Sequence, residues 1–559
     1  MIDLKKYKDF LLNVKAPWFV VFYIVTFFFV VALNRQLLSH FYQILENSSN
    51  VGFIFSLTPP IVLFFALSIV FLVFSGKYLF KIAFSFFILT GAIVNYFAYK
   101  YGIIFDYDMM VNIFSTNTQE ALSYFNTELV FNFVIFGLIP VILLWKIKII
   151  WPKSFIRGVL ERVFILALAF FVLGLISFFY YQNYASIGRN NNILRKEISP
   201  YNYIWFGYKA LKQIYFPANV KFNQFGEDSF IDNPLERPEL VVVLVGETAR
   251  AQNFKHNGYR RNTTPYTDKF TNLIKFAPVK TCGTATAVSV PCMFSNQSRD
   301  EYDDDKAKNS SNLTDLLKFS GYKVLWFDND GGCKGVCNRL TTKLIEANDP
   351  QNKKYCKDGT CYDEVLLPYL EHSLKEASER VQNTVIFLHL IGSHGPTYFA
   401  RVPEDKKIFF PTCNRGDIEN CSQEEIINAY DNTIAYTDFV VAKSIELLKQ
   451  YEDKFGTALI YISDHGESLG EMGLYLHGTP YSLAPDEQKE VPFMTWFSDS
   501  YVVDHRLNLD CLNKISFERF SHDNFYHSLI GILDVNTHFY NKEDDIFQRC
   551  RIWNKHKLK

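Results

Sequence analysis

The first 281 residues contain no cysteine, although the 559-residue chain has ten. An excess of one charge is also missing: 57 Lys and Arg stand against 58 Asp and Glu, a formal net charge of −1. That balance argues against a basic nucleic-acid binder. Disorder is excluded by a hydrophobic content of 49% and an aromatic content of 17%. The paired Cys-x-x-Cys knuckles of a zinc ribbon are absent, since the closest cysteines are spaced as Cys333-x3-Cys337 and Cys356-x4-Cys361. These averages conceal two environments. Residues 1–188 carry a net charge of +5 and no cysteine, and the remainder carries −6 and all ten cysteines.

What the first part has is five apolar runs without a charge: Pro17–Leu33, Val51–Gly76, Ile82–Tyr99, Leu129–Trp145 and Val163–Gly188. Each has about the 17–25 residues that cross ~30 Å of hydrocarbon at 1.5 Å per residue. The first is too long for a cleaved signal peptide, and Asn34-Arg35 is no small-residue cleavage site. Orientation follows from the Lys/Arg bias. The N-terminus (Lys5, Lys6, Lys8, Lys15), the second connection (Lys77, Lys81) and the fourth (Lys146, Lys148, Lys153, Arg157, Arg162) are basic. The first and third connections offer only Arg35 and Lys100. A cytoplasmic N-terminus and five crossings place everything after residue 188 outside.

Cysteine usage agrees with an oxidising exterior. Close pairs recur: Cys282 with Cys292, Cys333 with Cys337, Cys356 with Cys361, and Cys413 with Cys421. They read as disulfides closing small loops. Cys511 and Cys550 are left unassigned. A connector spans 189–238, and its stretch Tyr201–Phe216 mixes Tyr, Trp, Phe and Lys as a segment in the headgroup layer does.

From residue 239 to 559, short β-branched runs alternate with helical stretches. Leu240–Val245, Lys323–Phe327, Thr384–Leu390 and Ala458–Ser463 read as strands buried on both faces of a mostly parallel sheet. Ser422 and Glu425 form a capping box before a helical pattern through Leu448, with Gly456 as its stop. The expected fold is an α/β, doubly wound domain after a helical membrane domain. Glu247, Gly392-Ser393-His394 and Asp464-His465-Gly466-Glu467 each follow a strand, at the edge where open α/β sheets bind ligands. Glu247, Asp464 and His465 offer an O,O,N set that suits Zn2+ with one position left open. A lone glutamate after a strand is commonly a first-turn charge, and His389, inside its strand, reads as a packed core residue.

Six segments carry a family resemblance: VGETAR (Val245–Arg250), TCGTATAVSVPCMFS (Thr281–Ser295), DNDGGCKGVC (Asp328–Cys337), SHGP (Ser393–Pro396), YISDHGESLGE (Tyr461–Glu471) and LHG (Leu476–Gly478). They resemble the phosphoethanolamine transferases that modify lipid A, colistin-resistance enzymes included, in the alkaline phosphatase superfamily. The resemblance implies that Thr286 is the nucleophile, while Thr281 and Thr284 are neighbours that composition alone does not separate from it. It implies that Glu247, Thr286, Asp464 and His465 hold the principal zinc. His394 and His477 would contact the phosphoryl group, the leaving group or a second zinc, and Lys334 and Glu467 would line the phosphate and ethanolamine pocket. Gly331 departs from the pattern, some members carrying serine there, which withdraws one expected hydrogen bond to substrate. Asn112, Thr116 and Glu120, at i, i+4 and i+8, form a stripe on a helix and resemble the family's stretch for the phospholipid headgroup.

The expected enzyme is a zinc-dependent transferase of the bacterial inner membrane, facing the periplasm and acting as a monomer. It takes phosphoethanolamine from phosphatidylethanolamine, forms a phosphothreonine, and passes the group to lipopolysaccharide, first of all a lipid A phosphate. A sulfatase is disfavoured because the Cys282–Cys292 loop has no Cys/Ser-x-Pro-x-Arg motif. A phosphoglycerol transferase is the rival within the superfamily, and a disulfide-stapled receptor is the rival outside it.

Overall fold

The computed structural model describes residues 14–46, 52–116, 121–122, 124–191, 194–216, 221–231, 236–416 and 418–552. The chain divides into two compact units, 1–110 with 125–211, and 111–124 with 212–559.

In the first unit, Phe53–Phe74 (α3), Phe80–Tyr101 (α4), Thr127–Lys146 (α5) and the Phe155–Tyr181 part of Phe155–Asn190 (α6) are long and apolar enough to cross a membrane. The first expected span, Pro17–Leu33, is helical over Trp18–Ala32 and is extended beyond its end by a bent second helix. Trp18–Ala32 (α1) breaks and continues as Arg35–Glu46 (α2) at an angle of 58°. Asn34 explains the break. Its amide donates to the Phe29 carbonyl at 2.9 Å, which also accepts the Leu33 amide at 3.2 Å, and to the Ser199 carbonyl at 3.0 Å. Ser199 N–H returns a bond to Asn34 Oδ1. Inserting a side chain into the helical ladder is a recognised cause of a kink. Beyond it the pattern turns amphipathic, with Leu37, Phe41 and Leu45 buried at every fourth position. Elsewhere large apolar side chains face outward, Phe27, Phe86, Phe131, Phe164 and Phe171 among them. Helices that expose such residues with no backbone group left open suit hydrocarbon rather than water. The aromatic stretch of the connector forms a helix, Tyr201–Tyr215 (α7).

The second unit is built on a seven-stranded sheet. Its strands are Glu239–Gly246 (β1), Leu273–Lys275 (β2), Lys323–Asp328 (β3), Thr341–Leu344 (β4), Thr384–His389 (β5), Gly456–Ser463 (β6) and Phe493–Phe497 (β7). Their order is β2-β7-β6-β1-β5-β3-β4. The central run β6-β1-β5-β3-β4 is parallel, and β7 and β2 are antiparallel at one side. β1, β5 and β6 are buried along their whole length, as their uninterrupted β-branched and aliphatic runs require. Register decides function. Ser463 lies opposite Gly246, His389 opposite Val245, and His389 opposite Asp328, so four neighbouring strands end at one level.

Gln423–Lys449 (α9) has the expected capping box, Ser422 and Glu425 each closing on the other's backbone. Its stop is not Gly456, which begins β6. The helix ends at Lys449, seven residues earlier, where the chain turns through 451–455 toward the sheet. Thr286–Met293 (α8) and His522–Ile532 (α10) complete the elements that serve the site.

All ten cysteines are paired. The four close pairs form as expected: Cys282 with Cys292, Cys333 with Cys337, Cys356 with Cys361, and Cys413 with Cys421. The bridge between Cys413 and Cys421 closes a loop of eight residues directly before the capping box of α9. Cys511 and Cys550, unassigned from the sequence, form the fifth bridge.

At the opposite end of β1, His505 lies between Glu239 and Asp534, its Nδ1 3.1 Å from the Asp534 carboxylate. Burial opposes its charged form, yet the two acidic partners raise its pKa to about 8. A histidine held above its unfolded value of about 6.5 contributes stability that is full below that value and lost as pH rises through about 8. The wild-type chain should therefore exceed His505→Gln by on the order of 2 kcal/mol more at pH 6 than at pH 9, read by thermal unfolding. A difference between the two that does not change with pH would refute the charged pair.

Candidate active site and metal centre

Because β1, β5 and β6 end together, Glu247, the loop Ile391–Gly395 and Asp464-His465 meet at one point. Glu247, Asp464 and His465 are fully buried, and their ligand atoms lie within 4.8 Å of one another. His465 donates from Nδ1 to the Gly466 carbonyl at 2.9 Å, which fixes the tautomer and turns Nε2 toward Glu247 and Asp464, 3.5 Å from each. Burial lowers its pKa to about 4, so it presents a neutral imidazole. Asp464 Oδ1 accepts from the amides of Thr248 and His465, and Oδ2 has no hydrogen-bond partner among the described residues. Burial pushes Glu247 well above the usual carboxylate range, and the Asp464 and Asp330 charges add to it. A buried orphan carboxylate oxygen, a carboxylate under repulsion and an unprotonated imidazole nitrogen fit a bound metal ion.

Thr286 is the first residue of α8, after an extended Ala285. Its Oγ1 lies 3.1 and 3.2 Å from the two Glu247 oxygens and 3.3 Å from His465 Nε2. Thr284 is turned elsewhere, donating to the Thr479 carbonyl at 2.6 Å. Thr284 is thereby separated from Thr286 by geometry. The place of Thr286 at the start of α8 is one where a helix favours negative charge.

His394 and His477 stand beside His465, with ring centroids 5.5 Å apart from each other and His477 4.5 Å from His465. Glu467 meets the site through His477. Fully buried, it accepts from Tyr398 at 2.7 Å and pairs with His477 Nδ1 at 2.8 Å. Lys334 is half-buried in the turn after β3, at φ +50°, and its charge acts on both Glu247 and Asp330. His389 is buried as expected but is more than a core residue. Its Nδ1 lies 2.9 Å from Asp328, and Nε2 faces Asp330 at 3.9 Å. Gly331 is exposed in the same turn.

Of the headgroup stripe, Asn112 lies on the helix Tyr107–Ser115, and Thr116, just past its end, donates to the Asn112 carbonyl at 2.8 Å. Glu120 lies outside the described residues.

Several supporting residues escape sequence reasoning. His522, at the start of α10, accepts the Cys282 amide on Nδ1 at 3.1 Å and donates from Nε2 to the Ser463 carbonyl at 3.0 Å. It ties the nucleophile loop to the end of β6, as does Ser289, which donates to the Asp464 carbonyl. Asp363 takes the amides of Ile391 and Gly392, both at 2.9 Å, and so sets the loop that carries His394. Gly392 is required there. Its φ is +49°, and a Cβ would stand 2.5 Å from the Glu247 carbonyl oxygen. Gly392→Ala should lower the unfolding free energy by about 2–4 kcal/mol and reduce bound metal, read by thermal melting and metal analysis. Unchanged melting would show that the contact is not tight.

Comparison with known proteins agrees with this geometry. Residues 63–215 match the family described as phosphoethanolamine transferase EptA/EptB, and residues 239–535 match the sulfatase family. Phosphoethanolamine transferase EptA of Escherichia coli K12 is 39% identical over 94% of this chain and 96% of its own. Phosphatidylethanolamine transferase Mcr-1 of Escherichia coli is 33% identical over 86% of this chain and 89% of its own. Among solved structures, the integral membrane lipooligosaccharide phosphoethanolamine transferase A of Neisseria meningitidis superposes with a TM-score of 0.91, at 32% identity, covering 96% of this chain and all of that one. The phosphoglycerol alternative is not favoured by these likenesses. Matched in both halves and along nearly its whole length, the chain belongs to the phosphoethanolamine transferase family of the alkaline phosphatase and sulfatase superfamily.

Proposed function

We propose that the protein moves phosphoethanolamine from phosphatidylethanolamine to a lipid A phosphate through a covalent intermediate on Thr286. The observation that carries this reading is the Thr286 hydroxyl, held at the start of a helix between Glu247 and His465. Zinc, held by Glu247, Asp464, His465 and the Thr286 oxygen, would supply a Lewis acid that activates the hydroxyl and draws charge from the phosphoryl oxygens.

The chain's own groups do the rest. The hydroxyl proton passes to water as Thr286 Oγ1 bonds to the donor phosphorus, while Glu247 stays an anion beside that oxygen. The bond from phosphorus to the diacylglycerol oxygen breaks, and that oxygen must gain a proton to leave. His477 is placed for the task, since Glu467 holds its Nδ1 and leaves Nε2 as the working nitrogen. Lys334 supplies a fixed positive charge where the phosphoryl group carries negative charge. In the second half an acceptor phosphate oxygen attacks, the bond from phosphorus to Thr286 breaks, and the hydroxyl is restored. Two in-line displacements invert phosphorus twice. Asn112, Thr116 and Glu120 are assigned to the donor headgroup, with Glu120 meeting the ethanolamine ammonium.

The Lys/Arg bias and the five disulfides support a cytoplasmic N-terminus with the second unit in the periplasm. Each transferred ammonium reduces the net negative charge of the outer surface, so cationic peptides such as polymyxin bind it less well. Purified metal-loaded chain incubated with phosphatidylethanolamine should gain one phosphoethanolamine on Thr286, located by peptide fragmentation, and Thr286→Ala should gain none. Phosphoglycerol on Thr286, or an adduct at another residue, would overturn the reading.

A further inference from the structure

Glu247 belongs to two clusters. Besides Asp464 and His465, it stands with Asp330 and His389, again with one ligand atom from each within 4.8 Å of the others and all three residues buried. We propose that Glu247, Asp330 and His389 form a second divalent-cation site, so that Glu247 bridges two metals.

The arrangement of His389 points to a ligand. Its Nδ1 faces Asp328 Oδ2 at 2.9 Å, and its Nε2 is fully buried without a hydrogen-bond partner among the described residues. Asp328 is itself pinned. Oδ2 also accepts Trp326 Nε1 at 2.9 Å, and Oδ1 accepts the amides of Asp330 and Gly332 at 3.1 and 2.8 Å. A carboxylate that holds one ring nitrogen and leaves the other bare, aimed at two carboxylates, is the pattern by which metal-binding histidines are oriented. The bare nitrogen faces Asp330 Oδ2 at 3.9 Å, too far for a hydrogen bond but suited to two ligands of one ion about 2 Å from each. The turn from β3 enforces this. His389 and Asp328 are paired in register at the strand ends, and Asp330 follows two residues later.

Two carboxylates and an imidazole suit zinc or manganese and leave room for water or substrate oxygen. Lys334 meets part of the charge of Glu247 and Asp330. It stays outside the ligand set. The site differs from the His394–His477 pair, the other place a second zinc would go.

This inference rests on Glu247, Asp464 and His465 holding the first metal, and counting metals separates the two. The full-length chain in detergent is stripped with chelator, reloaded with Zn2+, dialysed free of excess and analysed for zinc per chain. Wild type should hold two equivalents, and Asp330→Asn and His389→Gln one each. His477→Gln should retain two. Melting of each variant in the metal-free state checks its fold. One equivalent in wild type, two retained in Asp330→Asn, or one left in His477→Gln overturns the proposal, and the first of these needs no variant to fold. If Asp464→Asn keeps both metals, the assignment of the first site fails instead. Anomalous scattering at the zinc edge should place two peaks on either side of Glu247, and a single peak there would likewise overturn the bridge.

Discussion

Three carboxylates, those of Glu247, Asp330 and Asp464, are held together inside protein where water does not screen them. Each lies just past the end of a parallel strand, and the register of β6, β1, β5 and β3 brings those ends to one level. Bringing like charges together at low dielectric is costly, by several kcal/mol per group if nothing compensates. Burial and mutual repulsion accordingly push Glu247 well up, and burial takes Asp330 to about 6 even with His389 and Lys334 opposing it. A sheet that accepts this arrangement has its positive partners supplied from outside the carboxylate set: His389, Lys334 and the first turn of α8.

Around that charge the loops are fixed by side chains that touch no reacting atom. His522 and Ser289 bind α8 to β6, Asp363 fixes the loop of His394, and Glu467 with Tyr398 fixes His477. Almost every ring or carboxylate at the point of chemistry has a buried group behind it. Preorganisation of this kind lets dipoles and charges act without rearranging as the phosphoryl group moves.

The sequence revealed what local pattern controls. β1, β3, β5 and β6 were readable as uninterrupted apolar runs, and Glu247, Asp464 and His465 by their place just beyond them. β2 and β4 were not, being three and four residues long and partly exposed, and the five-residue β7 was passed over although Pro492 and Ser498-Asp499-Ser500 flank it. Close spacing was enough to pair Cys413 with Cys421, whereas Cys511 and Cys550, 39 residues apart, are joined by the fold alone. Thr286 was distinguishable from Thr281 and Thr284 only through a family motif, because the contact that selects it comes from Glu247, 39 residues away. Asp330 obeyed the same strand-end rule as Asp464 and was passed over for the lysine in its turn. His522 had no signal at all, since its partners lie up to 240 residues distant. The kink at Asn34 was hidden for the same reason: it depends on Ser199.

The disulfides have one property in common. Taken in order, each cysteine is bonded to the next: Cys282 with Cys292, Cys333 with Cys337, Cys356 with Cys361, Cys413 with Cys421, and Cys511 with Cys550. None is nested in another and none is crossed. An oxidant that meets the chain from its N-terminal side and joins thiols in the order they arrive therefore makes every native bond at the first attempt. Four of the five loops close within ten residues, where little chain entropy opposes them. Ten thiols admit a very large number of complete pairings, and this chain needs only the one that simple succession produces, so its maturation depends on an oxidant and makes no demand on a catalyst of disulfide exchange.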